Sequence, residues 1–160
     1  MFNKRKYLYA VCNGKSNVLE AVQDEVFSSG MLGIGYMIEP SDGTIYAPCD
    51  GIIGNVAEAK HAYTITSTDG VDILIHVGID TVTLKGDAFE PRVEKGQRVS
   101  KGDVIAVADL EKIKNAGLPV QVIVIITSTE MIKKIEYDLM QECTKEDALI
   151  SYTISKNEKG

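Results

Sequence analysis

Several things are scarce in this chain, and each scarcity narrows what it can be. Tryptophan is absent, and histidine occurs only twice, as His61 and His76. Three cysteines, Cys12, Cys49 and Cys143, are too few for a disulfide framework and show no C-x-x-C spacing, so they read as reduced thiols. No apolar run, not even the region 120–126, reaches the roughly 20 residues a membrane-spanning helix needs. The N-terminal Met1-Phe2-Asn3-Lys4-Arg5-Lys6-Tyr7 is basic but lacks the apolar stretch of a secretion signal, which makes the cytoplasm the expected location. A basic stripe is missing too: the formal net charge is −6 and the cationic residues are scattered. Phosphate neutralisation supplies most of the affinity for nucleic acid, so that class of partner is not expected.

What is present fits one soluble globular domain. At 160 residues the chain is long enough to bury a real core, and 44% hydrophobic with 25% charged residues is an ordinary globular balance. Fourteen glycines and many short Val/Ile-rich runs favour strands over a helical bundle. The spacing predicts strands over 7–11, 35–39, 44–47, 52–56, 63–66, 71–76, 104–108, 120–126 and 149–154. Turn signals separate them at Ser41-Asp42-Gly43, Asp50-Gly51, Asp69-Gly70, Lys95-Gly96 and Lys101-Gly102-Asp103. Helical pattern is confined to 110–116 and 130–139. The expected fold is all-β, an antiparallel β-sandwich or barrel-sandwich hybrid with one or two short helices.

A weak internal repeat supports a duplicated architecture. Tyr9-Ala10-Val11-Cys12-Asn13-Gly14 returns as Tyr46-Ala47-Pro48-Cys49-Asp50-Gly51, as a sandwich built from two similar halves would require. Residues 93–105 carry the hydrophobic and Lys-Gly-Asp alternation of barrel-sandwich hybrids such as lipoyl domains. The stretch after Ser155 is polar and is expected to fray.

The two histidines flank a single turn, Ser67-Thr68-Asp69-Gly70. A hairpin closed symmetrically between Thr68 and Asp69 sets them opposite each other, with Cβ atoms roughly 4.5–5.5 Å apart. With Asp69-Gly70 as the central pair of a type I′ turn they become diagonal neighbours on one face; an uncompensated one-residue shift would part them. Such a pair suits phosphoryl transfer. Neutral imidazole is nucleophilic near its ordinary pKa of about 6.5, and a second ring can hydrogen-bond a phosphoryl oxygen. Gly78 offers a backbone N–H to the same oxygens, and its carbonyl is placed to fix the tautomer of His76. Two other readings stay open on spacing alone: ordinary strand-end histidines, or a zinc site. For zinc, the histidines with Asp72, Asp80 or Cys49 leave the ligand set short.

The segment Leu74-Ile75-His76-Val77-Gly78-Ile79-Asp80-Thr81-Val82-Thr83-Leu84-Lys85-Gly86-Asp87-Ala88-Phe89 closely resembles the signature of the glucose-family IIA components of the bacterial sugar phosphotransferase system. Asp24–Gly33, Ala47-Pro48-Cys49-Asp50-Gly51, Lys60-His61-Ala62, Gly96–Asp103 and Asp109-Leu110 follow in the family's order, so the likeness covers about residues 7–135 of what reads as a single IIA domain, 1–160. The resemblance implies a phosphocarrier, a transferase that forms a phosphohistidine. His76 would accept a phosphoryl group on Nε2 from the carrier HPr and pass it to a cysteine of a IIB domain on a sugar permease. His61 would stabilise the phosphoryl group, supported by Gly78, Asp80 and Thr81. Asp24 and Asp80 would meet donor arginines, and Val26, Phe27, Met31, Leu32, Leu74 and Val82 would form the apolar apron on which partners dock. A monomer is expected, touching the membrane only through the permease. No cofactor is implied; zinc bound by His61 and His76 is conceivable only at a partner interface in a regulatory complex. The chain departs from the family at Ala59, where a threonine commonly orients the second histidine, at Ala10-Val11-Cys12, and at Gly117-Leu118-Pro119-Val120-Gln121.

Three other functions fit less well. A zinc metallopeptidase on a related sandwich needs a His-x-His pair, which is absent. A lipoyl or biotin carrier needs a modifiable lysine in Asp-Lys-Ala or Met-Lys-Met, and neither occurs. A regulatory binder that answers to phosphorylation state would use the same face as the carrier.

Overall fold

A computed structural model describes residues 4–155. Thirteen strands are found among them: β1 (Lys6–Tyr9), β2 (Gly14–Val18), β3 (Ile34–Pro40), β4 (Thr44–Tyr46), β5 (Gly51–Val56), β6 (Ala62–Ser67), β7 (Asp72–Val77), β8 (Phe89–Pro91), β9 (Arg98–Val99), β10 (Val104–Ala108), β11 (Val122–Ile126), β12 (Ile132–Tyr137) and β13 (Ala148–Ile154). Two short helices, α1 (Glu25–Ser28) and α2 (Leu110–Asn115), join them. The strands form a seven-stranded sheet in the order β2-β3-β11-β7-β6-β5-β9 and two three-stranded sheets, β1-β13-β12 and β4-β10-β8. The fold is the expected β-sandwich, with antiparallel pairing throughout.

Strand β11 shows how the layers are organised. All five of its residues are buried, because the sheet is covered on both faces at its centre. Val122, Val124 and Ile126 point into the main core with Ile73, Ile75 and Val77 of β7. Ile123 and Ile125 point the other way, into a smaller core with Leu19, Val22, Phe27, Met37 and Ile79. That second core is roofed by the one-turn 3-10 helix at Leu19–Ala21 and by α1.

The repeat proves to be a local two-fold. Tyr9 N–H donates to Pro48 O at 3.0 Å while Tyr46 N–H donates to Val11 O at 2.7 Å, so each copy binds the other at equivalent atoms. A second repeat, Ser100-Lys101-Gly102-Asp103 and Thr144-Lys145-Glu146-Asp147, follows the same symmetry. Asp103 accepts Ser100 N–H at 2.8 Å and Asp147 accepts Thr144 N–H at 2.9 Å. Lys101 lies over the Tyr9 ring at 4.1 Å and Lys145 over the Tyr46 ring at 4.8 Å. The two three-stranded sheets are therefore twins, and β12 and β13 complete the second one.

One expectation needs correction, and three strands were not anticipated. The 130–139 stretch is strand β12, entered from a 3-10 turn at Thr129–Met131, and not a helix. Ile132 and Ile135, three apart, mimic helical spacing, but a register shift between Ile132 and Lys134 inserts a residue and turns both toward the core. The short, largely polar strands β2, β8 and β9 carry too few apolar residues to give a period-two signal. The stretch expected to fray after Ser155 lies outside the described residues.

Candidate functional site

His76 is the next-to-last residue of β7, on the face that bears Leu74 and opposite Ile123 of β11. The β6–β7 ladder pairs it with Ala62, one step off both registers considered from the sequence. An uninterrupted β6 would then send the His61 side chain to the far face. The chain compensates at Lys60, which takes a left-handed φ of 65° in a turn closed by Lys60 N–H on Ala57 O at 2.8 Å. The Tyr63 hydroxyl anchors that turn by donating to Lys60 O at 2.9 Å. His61 still ties to β7 through its carbonyl, which accepts Val77 N–H at 2.8 Å, but its ring swings back over the sheet. The two imidazoles meet edge to face, with centroids 4.9 Å apart and planes at 82°.

The chemistry of His76 is set by three contacts. Its Nδ1 lies 2.8 Å from Gly78 O, and a carbonyl only accepts, so Nδ1 carries the proton and Nε2 keeps its lone pair. The Phe27 ring stands 4.9 Å away on one side and His61 on the other. Burial, with His61 as the next contributor, pushes its pKa down to about 4, against the opposing pull of the Gly78 hydrogen bond, Asp24 and Asp80. The ring is therefore neutral at cellular pH. Burial lowers the His61 pKa as well, and its Nδ1 is buried without a hydrogen-bond partner.

The turn after β7 is held in a shape ordinary residues resist. Gly78 has φ 79°, and a Cβ there would stand 2.4 Å from Thr81 Cγ2. Its N–H is not free for a phosphoryl oxygen, as had been expected, because it donates to Gln121 O at 2.8 Å. Gly78 serves the site through its carbonyl alone. Thr81 is fully buried and donates to Val77 O at 2.6 Å, which closes the turn, while Asp80 is exposed with a left-handed φ of 60°. Asp24 caps α1 by accepting Val26 N–H at 2.9 Å.

Of the side chains expected to form an apolar apron, Val26, Met31, Leu32 and Val82 are exposed, Met31 at 82%. Phe27 and Leu74 depart from that expectation: Phe27 is buried in the smaller core and Leu74 is half-buried against it. Two participants were missed. Gln121 and Glu39, the latter near the end of β3, form a hydrogen bond of 2.9 Å just behind the site. No spacing rule marks a single buried amide. Among the described residues, no cluster of three or more ligand-type side chains could hold a metal, and no helix is long and apolar enough to cross a membrane.

Known proteins share this sequence pattern and fold. Residues 6–132 match the model of the family described as phosphoenolpyruvate-dependent sugar phosphotransferase system, EIIA 1. The glucose-specific EIIA component of Buchnera aphidicola is 41% identical over 136 residues, 84% of each chain. The glucose-specific EIICBA component of Streptococcus pneumoniae and the beta-glucoside-specific EIIBCA component of Bacillus subtilis are 37% and 40% identical, over 82% and 79% of this chain. This chain spans only 18% and 21% of those two proteins. In structure it superposes on the glucose permease IIA of Mycoplasma capricolum with a TM-score of 0.87 and 35% identity, over 94% of this chain and 97% of that one. The chain belongs to the EIIA 1 family of the phosphoenolpyruvate-dependent sugar phosphotransferase system, with a glucose-type IIA fold.

Proposed function

We propose that His76 takes a phosphoryl group from the phosphohistidine of HPr and delivers it to a cysteine of a IIB domain during sugar uptake. The observation that carries this reading is the orientation of the His76 ring: Nδ1–H is tied to Gly78 O, and Nε2 is left as the nucleophile. The Nε2 lone pair attacks phosphorus, the N–P bond of the donor breaks, and its electron pair returns to the donor imidazole. In the second step a IIB thiolate attacks the same phosphorus, and the electron pair of the Nε2–P bond returns to His76. A ring held neutral by burial needs no deprotonation before attack. His61, edge-on at 4.9 Å, donates from Nε2–H to a phosphoryl oxygen and steadies the charge that builds there.

The exposed Val26, Met31, Leu32 and Val82 form the surface on which donor and acceptor dock in turn, with Asp24 and Asp80 facing cationic side chains of the partner. Phosphorylation adds close to two negative charges to this face, which changes its preferred partner without refolding. Relatives that carry the EIIC, EIIB and EIIA labels in one polypeptide name favour a IIB acceptor. No cofactor is needed. A zinc ion bound by His61 and His76 would need further ligands from a partner.

The test is to incubate the protein with enzyme I, HPr and phosphoenolpyruvate and map the acid-labile phosphate. The expected outcome is a single label on His76, lost in His76→Gln. His61→Gln should still accept phosphate but fail to pass it on. Equal labelling of the wild type and His76→Gln would overturn the reading.

A further inference from the structure

We infer that Gln121 is a positioning residue for His76, joining both walls of the histidine site through one residue, its main chain to one wall and its side chain, whose orientation Glu39 fixes, to the other. The inference rests on the phosphocarrier reading above. Gln121 is 3% exposed and stands just before β11, where a buried amide must justify both its polar ends.

Its main chain serves one wall. Gln121 O accepts Gly78 N–H at 2.8 Å, and Pro119 O accepts Ile79 N–H at 3.1 Å, which prolongs the β7–β11 ladder past the end of both strands. The Gly78 peptide that follows presents its carbonyl to His76 Nδ1. Gln121 therefore stands two hydrogen bonds from the nucleophilic ring.

Its side chain serves the other wall. Gln121 Oε1 accepts Gln23 N–H at 3.0 Å, and Gln121 Nε2 donates to Glu39 Oε2 at 2.9 Å. Gln23 leads directly into Asp24, the cap of α1, and α1 carries Phe27, whose ring packs on His76. The assignment of the amide is forced. A carboxylate only accepts and a backbone N–H only donates, so the amide nitrogen must face Glu39 and its oxygen Gln23. Leucine at this position would leave Gln23 N–H and the Glu39 carboxylate without this partner. A carboxylate in its place would set two acceptors against each other.

The experiment exchanges the two functional groups. Gln121→Glu should slow phosphoryl acceptance at saturating phospho-HPr by on the order of 10- to 100-fold, the usual size of a sub-ångström loss of positioning. The double variant Glu39→Gln with Gln121→Glu restores donor to acceptor with the roles swapped, and should return to within about threefold of wild type. In parallel, the ¹⁵N resonances of the His76 ring and the Gly78 amide should move in the single variant and return in the double. That readout needs no phosphate donor, so it holds even if labelling of the wild type fails and the carrier reading falls. If Gln121→Glu does not fold, the double variant still decides. A folded double variant with slow transfer or displaced His76 resonances overturns the proposal, as does a folded single variant that behaves as wild type.

Discussion

The two ends of the β6–β7 hairpin are built differently. At the turn end, Thr68 N–H reaches Asp50 O, beside the place where the two copies of the repeat meet, and bonds there come in pairs: Tyr9 to Pro48 and Tyr46 to Val11, Ala10 N–H to Asp147 O and Ala47 N–H to Asp103 O. At the histidine end there is no such duplication. Lys60, Gly78, Asp80, Lys85 and Gly86 all take positive φ, and the Nδ1 of His61 is buried without a partner. Duplication gives the fold its redundancy. The irregular end spends some of that stability on holding two imidazoles where regular strands would not put them.

The largest measurable difference between the ends should appear with pH. In the folded chain the pKa of His76 is pushed down to about 4 and that of His61 is lowered too, against an ordinary 6.5. The unfolded chain therefore takes up these protons first. Their contribution to stability is complete above pH 6.5 or so and is lost as the pH falls toward 4, by about 2–3 kcal/mol for His76 after allowance for its partial exposure. Urea unfolding of the wild type and His76→Gln at pH 7 and pH 4.5 checks this. The variant should lose distinctly less stability than the wild type over that interval, and parallel losses would refute the burial argument.

That contrast also explains what could be read from the sequence. The closeness of the two histidines and the sandwich were legible because His76 sits in a long motif and because core strands such as β7 and β11 are written in Val and Ile. The first repeat was legible from Tyr-Ala-x-Cys-x-Gly. The second was hidden, because Ser-Lys-Gly-Asp and Thr-Lys-Glu-Asp share little beyond a lysine and an aspartate. Their kinship lies in hydrogen bonds, and missing it made β12 look like a helix. The register of the histidines was not legible either, since it depends on a left-handed lysine that no propensity rule places at position 60.

A medium effect should come from the turn end, and it should touch stability alone. Asp103→Ala and Asp147→Ala each remove the acceptor of a backbone N–H, a loss of about 1–2 kcal/mol apiece. If the two-fold is energetic as well as geometric, the two penalties agree within about 0.5 kcal/mol. Phosphoryl acceptance by His76 should not change in either variant at a temperature where both are folded. Denaturant midpoints and a labelling time course on the same samples make the comparison. A variant that slows transfer would mean that the two ends are coupled after all.

The smallest effect tests the irregular end from the opposite direction, by repairing it. Ala59 lines the same hollow as His61, together with Ala57, Glu58, Val82 and Lys85, and has no polar atom in its side chain to offer. A hydroxyl two residues before His61 could donate to Nδ1, which would leave the proton on Nε2, the nitrogen that faces the phosphoryl group in the proposed transfer. Ala59→Thr should therefore raise stability by about 0.5–1 kcal/mol and speed onward transfer a few-fold, because the supporting ring no longer chooses between tautomers. Ala59→Val has nearly the same shape and no hydroxyl, so it isolates the hydrogen bond from the packing. Gain with threonine and none with valine, measured by thermal melting and by rapid-quench transfer to a IIB domain, would show that the missing partner limits this site. Equal gains would assign the effect to filling the hollow, and the bare nitrogen of His61 would then be a cost the protein carries without consequence for transfer.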